Sequence, residues 1–441
     1  MRPRPPIHPT PEWHFPLPQV AALSNGAPVW LYDLPGQVIV TASLLQPIAL
    51  AGEPKDREGV ATLTARALDE GTIAHPGPAF ADALESLGAS YSAAAGFTTT
   101  ECVIDAPADN LAMAFPLFAE AVLTPHLADE DIARLRANRV AEIHQNRAVG
   151  SHVAGSQVRR SLFAPQERVS RPAGGDLTTV QAISGDDVRA FHQATYSPDR
   201  STLIVAGDLS GLDVLAAADQ AFGGWRGPAR APRGDTPPAT TAPSSHVIDR
   251  PGAVQADIRF GWPGLDRLDP RWPALRVAIC AMGGSFLSRL NRVIREEKGY
   301  TYGISMSAHL FRRGGYITVS CSVRTDVAHP ALEAIRELLT LKDPFTDEEI
   351  AEAIAYLTQS APLSYGTADA VVAQAGVIAS GGLDLDYITG HLARMRQVTA
   401  ERASEVYREL IDPDQSTLVV VADTSQLPDT WGIAPEAIPQ T

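Results

Sequence analysis

Residues 197–208 read SPDRSTLIVAGD, and residues 412–423 read DPDQSTLVVVAD. Pro198 and Pro413 stand 215 positions apart, as do Asp208 and Asp423. In each copy a helical stretch (Asp187 to Thr195; Ala403 to Ile411) runs into Pro-Asp, then Ser-Thr-Leu and a β-branched run. Proline stops a helix, and an unbroken apolar run bounded by turn residues reads as a strand buried on both faces. A second pair lies at a similar offset. LESLGASYSAAA (84–95) sits beside REEKGYTYGISM (295–306), with Gly88 and Gly299, and Tyr91 and Tyr302, each 211 apart. Each segment reads as a helix end, a glycine stop and a strand of small and aromatic residues. Two matches in the same order make the chain a duplication.

Residues 227–246, GPARAPRGDTPPATTAPSSH, cut the chain near its middle and cannot pack a core, so they read as a linker. The expected organisation is an N-terminal extension (1–18), a first domain (19–226), the linker (227–246) and a second domain (247–441). Within the first half, a strand pair (Pro28 to Tyr32, Val38 to Leu44) around Leu34-Pro35-Gly36 precedes helices at Arg57 to Asp69 and Pro78 to Leu87. Strands near Ser90 and at Glu101 to Ile104 follow, then helices through Ala108 to Leu123 and Asp129 to Asn146. Runs of like elements, rather than strict alternation, predict an α+β fold: helices on one face of a largely antiparallel sheet, twice over.

Composition narrows the function. In 441 residues, 36 basic against 51 acidic side chains give a net charge of −15. Without a basic run, nucleic acid and anionic membranes are poor partners. The proline-rich start, MRPRPPIHPTPEWHFPLP, lacks the apolar core of a secretory signal, and no stretch has the apolar length of a membrane helix. Three cysteines (Cys102, Cys280, Cys321) make no disulfide framework, which fits a reducing, cytoplasmic setting, and Cys280 and Cys321 read as small core residues. The usual catalytic signatures are missing: no phosphate loop, no dinucleotide fingerprint after a strand, no nucleophile elbow at Gly283-Gly284-Ser285, no C-x-x-C. None of the eleven histidines stands three or four from another, so no helix face offers two of them to a metal. His144 and His192 read as solvated or satisfied side chains.

GVATLTARALDEGT (59–72) resembles the active-site helix of the pitrilysin/insulinase family of zinc metallopeptidases, the inverzincins. The resemblance continues through FADALESLGASYSAAAGFTTTECVID (80–105), FHQATYSPDRSTLIVAGDL (191–209) and GGSFLSRLNRVIREEKGYTYGIS (283–305). It implies a clamshell half built of two homologous α+β domains. In active members this helix carries H-x-x-E-H, two zinc ligands and the general base. The same places here hold Thr62, Ala65 and Arg66. Threonine and alanine supply neither ligand nor base, and arginine stays charged. A unit charge pair ~4 Å apart at an effective dielectric of ~20 is worth ~4 kcal/mol, and repulsion of a divalent ion roughly twice that. Glu142, in NRVAEIHQNR, falls where the family has its third ligand, while Leu135 stands where a second acidic residue is usual. Glu142 alone makes no metal site and otherwise reads as a surface helix glutamate. The metal expected in this chain is therefore none.

The rear half departs less. The family completes its active site with an arginine and, seven positions on, a tyrosine, from the C-terminal half or a partner chain; Arg295 and Tyr302 match. Otherwise Arg295 reads as a helix-surface partner of Glu296 or Glu297, and Tyr302 as a packed strand aromatic. The resemblance to the zinc-less subunit of processing peptidases implies a heterodimer. A separate H-x-x-E-H chain would bring zinc and the base, and this chain Arg295 and Tyr302, on a peptide substrate. The other class is a scaffold: a core protein of a larger assembly that cleaves nothing.

Overall fold

The computed structural model describes residues 13–48, 50–228, 242–427 and 431–439. The duplication is present as two six-stranded sheets among those residues. The first contains β1 (Gln19–Ala22), β2 (Pro28–Asp33), β3 (Ile39–Gln46), β4 (Ser90–Ala95), β5 (Thr100–Pro107) and β6 (Thr202–Gly207), in the order β1-β2-β6-β3-β5-β4. The second contains β7 (Ser244–Asp249), β8 (Gln255–Pro263), β9 (Ile304–Leu310), β10 (Gly315–Arg324), β11 (Thr417–Ala422) and β12 (Pro435–Ala437), in the order β12-β7-β11-β8-β10-β9. Both sheets are mainly antiparallel and packed with helices, so the architecture is α+β. The two repeated runs become β6 and β11, every residue of each buried. A row of cross-strand partners, Leu31–Val205–Ala42–Ile104–Tyr91, has its counterpart in Val247–Val420–Ile258–Cys321–Ile304.

That alignment corrects two sequence readings. Val205 and Val420 keep the offset of the repeat, but the counterpart of Tyr91 is Ile304, not Tyr302. The second copy has two more residues between its glycine stop (Gly299, φ 65°) and its edge strand. Tyr302 is thereby displaced out of the strand into the preceding loop. Second, the strands flanking Leu34-Pro35-Gly36 do not pair. β6 lies between β2 and β3, parallel to one and antiparallel to the other. A wholly apolar strand gains most at the sheet centre, where both faces are covered. The turn closes instead on β6: Leu34 donates its N–H to Gly207 O (2.7 Å), and Gly36 donates to Asp208 Oδ2 (2.8 Å).

β7 starts at Ser244, inside the stretch expected to be linker, because it pairs in parallel with β11; residues 229–241 lie outside the described residues. Of the expected extension, Trp13 and Phe15 pack on the rear half. Trp13 stacks on Tyr365 with centroids 5.7 Å apart, and Phe15 N–H donates to Thr389 Oγ1 (3.1 Å). Among the described residues no helix is long and apolar enough to cross a membrane.

The halves also exchange helices. Gly150–Leu162, from the front half, lays Val153, Val158 and Leu162 on Ile248, Val419 and Val421 of the rear sheet. Ala368–Gly381, from the rear half, covers β3 and β6 of the front sheet. Each buried aliphatic side chain contributes ~1.5–3 kcal/mol. The approach is close. A Cβ on Gly150 would lie 2.3 Å from Asp257 Oδ2 and 3.6 Å from Val421 Cγ1. Gly150→Val therefore should cost ~1–3 kcal/mol by overpacking, read as a lower urea midpoint; an unchanged midpoint would refute this contact.

Candidate functional site

The degenerate helix runs Val60–Ala67, shorter than the Arg57 to Asp69 expected. Lys55–Arg57 forms a separate 3-10 turn, and Gly59, at φ 104°, breaks the path between them. The helix start is anchored by a carboxylate outside the motif, on Glu53 just upstream. Glu53 Oε1 accepts the N–H groups of Gly59 and Ala61 (2.9 Å each), satisfying donors that a helix N-terminus leaves open. Its other oxygen accepts from Arg168 Nε (2.9 Å), and Arg168 also donates to Pro172 O (2.9 Å) and Ala173 O (2.7 Å). The Glu53 side chain is fully buried and that of Arg168 only 6% exposed. Glu58 stands beside them, gripped by Arg171 Nη2 at 2.6 Å. Burial pushes the Glu53 carboxyl up, against the opposing pull of Arg168 and the two N–H groups. Sequence periodicity gave no sign of this cluster, because its acids and arginines are over a hundred residues apart.

Thr62, Ala65 and Arg66 sit on this helix, Ala65 buried and the other two half-buried. Arg66 turns toward the helix Asp129–Arg147 and holds Glu142 with both nitrogens: Nη1 to Oε1 at 2.7 Å, Nη2 to Oε2 at 3.1 Å. Arg139 adds Nη1 to Glu142 Oε2 (2.9 Å) and anchors itself by Nε to Gly174 O (3.0 Å). Glu142 is thus more than a surface glutamate: the structure brings it to the degenerate motif, where a guanidinium takes up its carboxylate. The Arg66 guanidinium, with that of Arg139, holds the Glu142 carboxyl below its ordinary range. The pair is bidentate but more than a third exposed, so it contributes only ~0–1 kcal/mol.

This donor set does not fit a zinc ion. One carboxylate remains, already saturated by two arginines, with a threonine and an alanine where imidazole and glutamate would stand. Nor is there, among the described residues, any group of three His, Cys, Asp or Glu placed to hold a metal. His192, expected to be a satisfied side chain, has Nε2 2.8 Å from Val122 O; His144 is exposed. Cys280 and Cys321 lie in the core as read, their thiols pushed up to about 11 by burial.

In the rear half, Arg295 belongs to the helical segment Asn291–Glu297 and Tyr302 to the loop that follows. Arg295 pairs with Glu296 (Nη1 to Oε1, 2.7 Å), the surface contact the sequence allowed, and its guanidinium lies 4.1 Å above the Phe286 ring. Phe286 belongs to the G-G-S-F-L run, but nothing in that run's spacing signals a contact with Arg295. Tyr302 is no packed strand aromatic: it is 96% exposed. Its backbone is nevertheless tied down on both sides. Thr301 Oγ1 donates to Ser322 O or Gly303 O (2.8 Å each), and Gly303 N–H donates back to Thr301 Oγ1 (3.1 Å). Asn291, nearly buried, joins the flanking elements by donating to Ser285 O (3.1 Å) and Ile304 O (2.8 Å). A hydrogen-bonded loop therefore presents a phenol to solvent, seven residues after an arginine whose side chain is only 27% exposed.

Two repeated α+β domains, each a mainly antiparallel six-stranded sheet packed with helices, define a chain of the inverzincin architecture. It belongs to the insulinase family, peptidase family M16: that family matches residues 40–168, and its "Peptidase M16 inactive domain" matches 182–357. An uncharacterized zinc protease of Streptomyces coelicolor is 28% identical over 260 residues, 57% of this chain and 56% of the relative, so the match spans little more than half of that protein. An uncharacterized zinc protease of Mycobacterium tuberculosis is 24% identical over 344 residues, covering 75% of this chain and 76% of the relative. Among solved structures, a peptidase M16 inactive domain from Pseudomonas fluorescens superposes with a TM-score of 0.84 at 22% identity, over 96% of this chain and all of that one. A chain of Complex III2 from Candida albicans superposes with a TM-score of 0.75 at 14% identity, over 93% of this chain and 97% of that one. At these identities the structures speak for the fold alone.

Proposed function

We propose that this chain is the zinc-less partner subunit of a heterodimeric metalloendopeptidase that cleaves peptides, contributing Arg295 and Tyr302 to a site whose zinc, ligands and base belong to a separate H-x-x-E-H chain. The observation that carries this reading is the Arg66–Glu142 pair: a guanidinium stands against the carboxylate that matches the family's third ligand. The rear loop keeps donors with no intramolecular use for the phenol. A guanidinium and a phenol can hold a peptide carbonyl and stabilise oxygen charge that develops during attack. An extended peptide would add to a sheet edge such as β9, which begins two residues after Tyr302. The acidic net charge favours basic peptides, and three buried free thiols suit the cytoplasm.

The experiment is reconstitution. The purified chain alone should cleave no peptide, and activity should appear on mixing with its H-x-x-E-H partner. Proteolysis by the isolated chain would end this reading. Zinc content gives a second measurement. The native chain should lose zinc on dialysis, whereas Thr62→His/Ala65→Glu/Arg66→His, with Glu142 kept, should retain about one zinc per chain by atomic emission, since ligands and geometry are then restored. Stoichiometric zinc in the native chain would contradict it. A scaffold role, as a core protein of a larger assembly, is the alternative, and it predicts no activity with any partner.

A further inference from the structure

The helices Asp129–Arg147 and Gly150–Leu162, the loop at 172–176 and the final described residues line an open-sided cavity of about 120 Å³. Ile143, Val153 and Ile438 give it an apolar lining. Its charged lining is mainly cationic, which is unusual in a chain of net charge −15: three arginines, Arg139, Arg147 and Arg160, against one carboxylate, Asp176, with the neutral polar side chains of Ser156 and Gln157 among them. Their situations differ. Arg139 is committed to Glu142 and Gly174 O, and Asp176 Oδ1 accepts the N–H of Thr179 at 2.9 Å. Arg160 is partly buried, with Arg159 and Asp176 acting on its charge. Arg147, half-buried at the helix end, has no hydrogen-bond or ion-pair partner among the described residues, and neither has the side-chain amide of Asn146 beside it.

We infer that this cavity binds the C-terminal end of a peptide whose last side chain is apolar. The carboxylate would lie on Arg147, a guanidinium with both faces of its fork unused, with Arg160 adding positive field. The last side chain would replace water against Ile143 and Val153. The Asn146 amide carries both a donor and an acceptor, matching the C=O and N–H of the last peptide unit. That match distinguishes a peptide from a fatty acid, which offers a carboxylate and an apolar chain but no amide. The inference concerns this chain alone and does not depend on a partner subunit.

Calorimetric titration of the full chain with Ala-Ala-Leu, its C-terminal amide and octanoate tests it. Ala-Ala-Leu should bind saturably in the millimolar range or below. The amide should bind at least about tenfold more weakly, the loss expected when a charged hydrogen bond goes. Arg147→Gln should cause the same loss with a nearly unchanged Tm, because the native side chain has no hydrogen bond or ion pair to lose, while Arg147→Lys should keep part of the affinity. No saturable binding, equal binding of acid and amide, or full affinity in Arg147→Gln would each overturn the site. Octanoate binding as tightly as the tripeptide would overturn its assignment to peptides.

Discussion

Arg168→Ala should lower stability by ~3–5 kcal/mol, the range measured when one member of a buried ion pair is removed. The loss would not come from the pair's own attraction. Glu53 would stay behind, fully buried and charged, beneath the helix whose first N–H groups it accepts. The loop at 172–173 would lose its two donors as well. Calorimetry should show a fall in Tm of several degrees, against almost none for Arg324→Ala, whose side chain is 72% exposed. The double variant Glu53→Gln/Arg168→Met should recover part of the loss, since glutamine still accepts both helix N–H groups without carrying charge. The pH dependence has a definite sign. Burial raises the Glu53 carboxyl in the folded state, so the folded chain keeps that proton to higher pH than the unfolded one. The stability so contributed is complete below the unfolded value of ~4.3 and declines as pH rises through the folded value. Without Arg168 to pull it down, the folded value rises further. The deficit of Arg168→Ala should therefore be greatest at neutral pH and shrink as the solution is acidified. A deficit independent of pH, or no larger than that of Arg324→Ala, would remove the cluster's proposed weight.

The second large effect is catalytic and belongs to the reconstituted complex. Tyr302→Phe should lower kcat by ~10²–10³, the usual cost of removing one donor to a developing oxyanion. At 96% exposure the phenol supports nothing in this chain, so the fold should not notice its loss. Arg295→Ala should lower kcat comparably and also remove the contact over Phe286. KM should move less than kcat in both, because a donor used mainly in the transition state leaves ground-state binding nearly intact. Both complexes should stay associated on gel filtration. Full turnover in both variants would sink the proposed roles.

What could be read from the chain before its coordinates follows from the length scale of each interaction. The repeat was legible because a buried central strand must be apolar at every position, and SPDRSTLIVAGD and DPDQSTLVVVAD advertise that twice. Strand order was not. Nothing local in Pro28 to Leu44 says that β6, more than a hundred and fifty residues on, will separate β2 from β3. Tyr302 was aligned with Tyr91 because both follow a glycine by three; only cross-strand register exposes the two-residue insertion that frees it. The altered motif at Thr62, Ala65 and Arg66 was visible as missing chemistry, and Glu142 by its position. That Arg66 would close on Glu142 depended on two helices meeting, which no residue pattern encodes by itself. The anchoring cluster of Glu53, Glu58, Arg168 and Arg171 was opaque for the same reason.

The swapped helices bear on how such a chain can be taken apart. Cutting between the domains would leave each fragment carrying the cover for the other's sheet, and each sheet with a bare apolar face. Neither fragment would be a sound unit by itself, and co-expression of both pieces would be needed to recover a native core. Two copies of one ancestral unit have in this way become mutually dependent, so that duplication here joined the parts more tightly than the chain between them does.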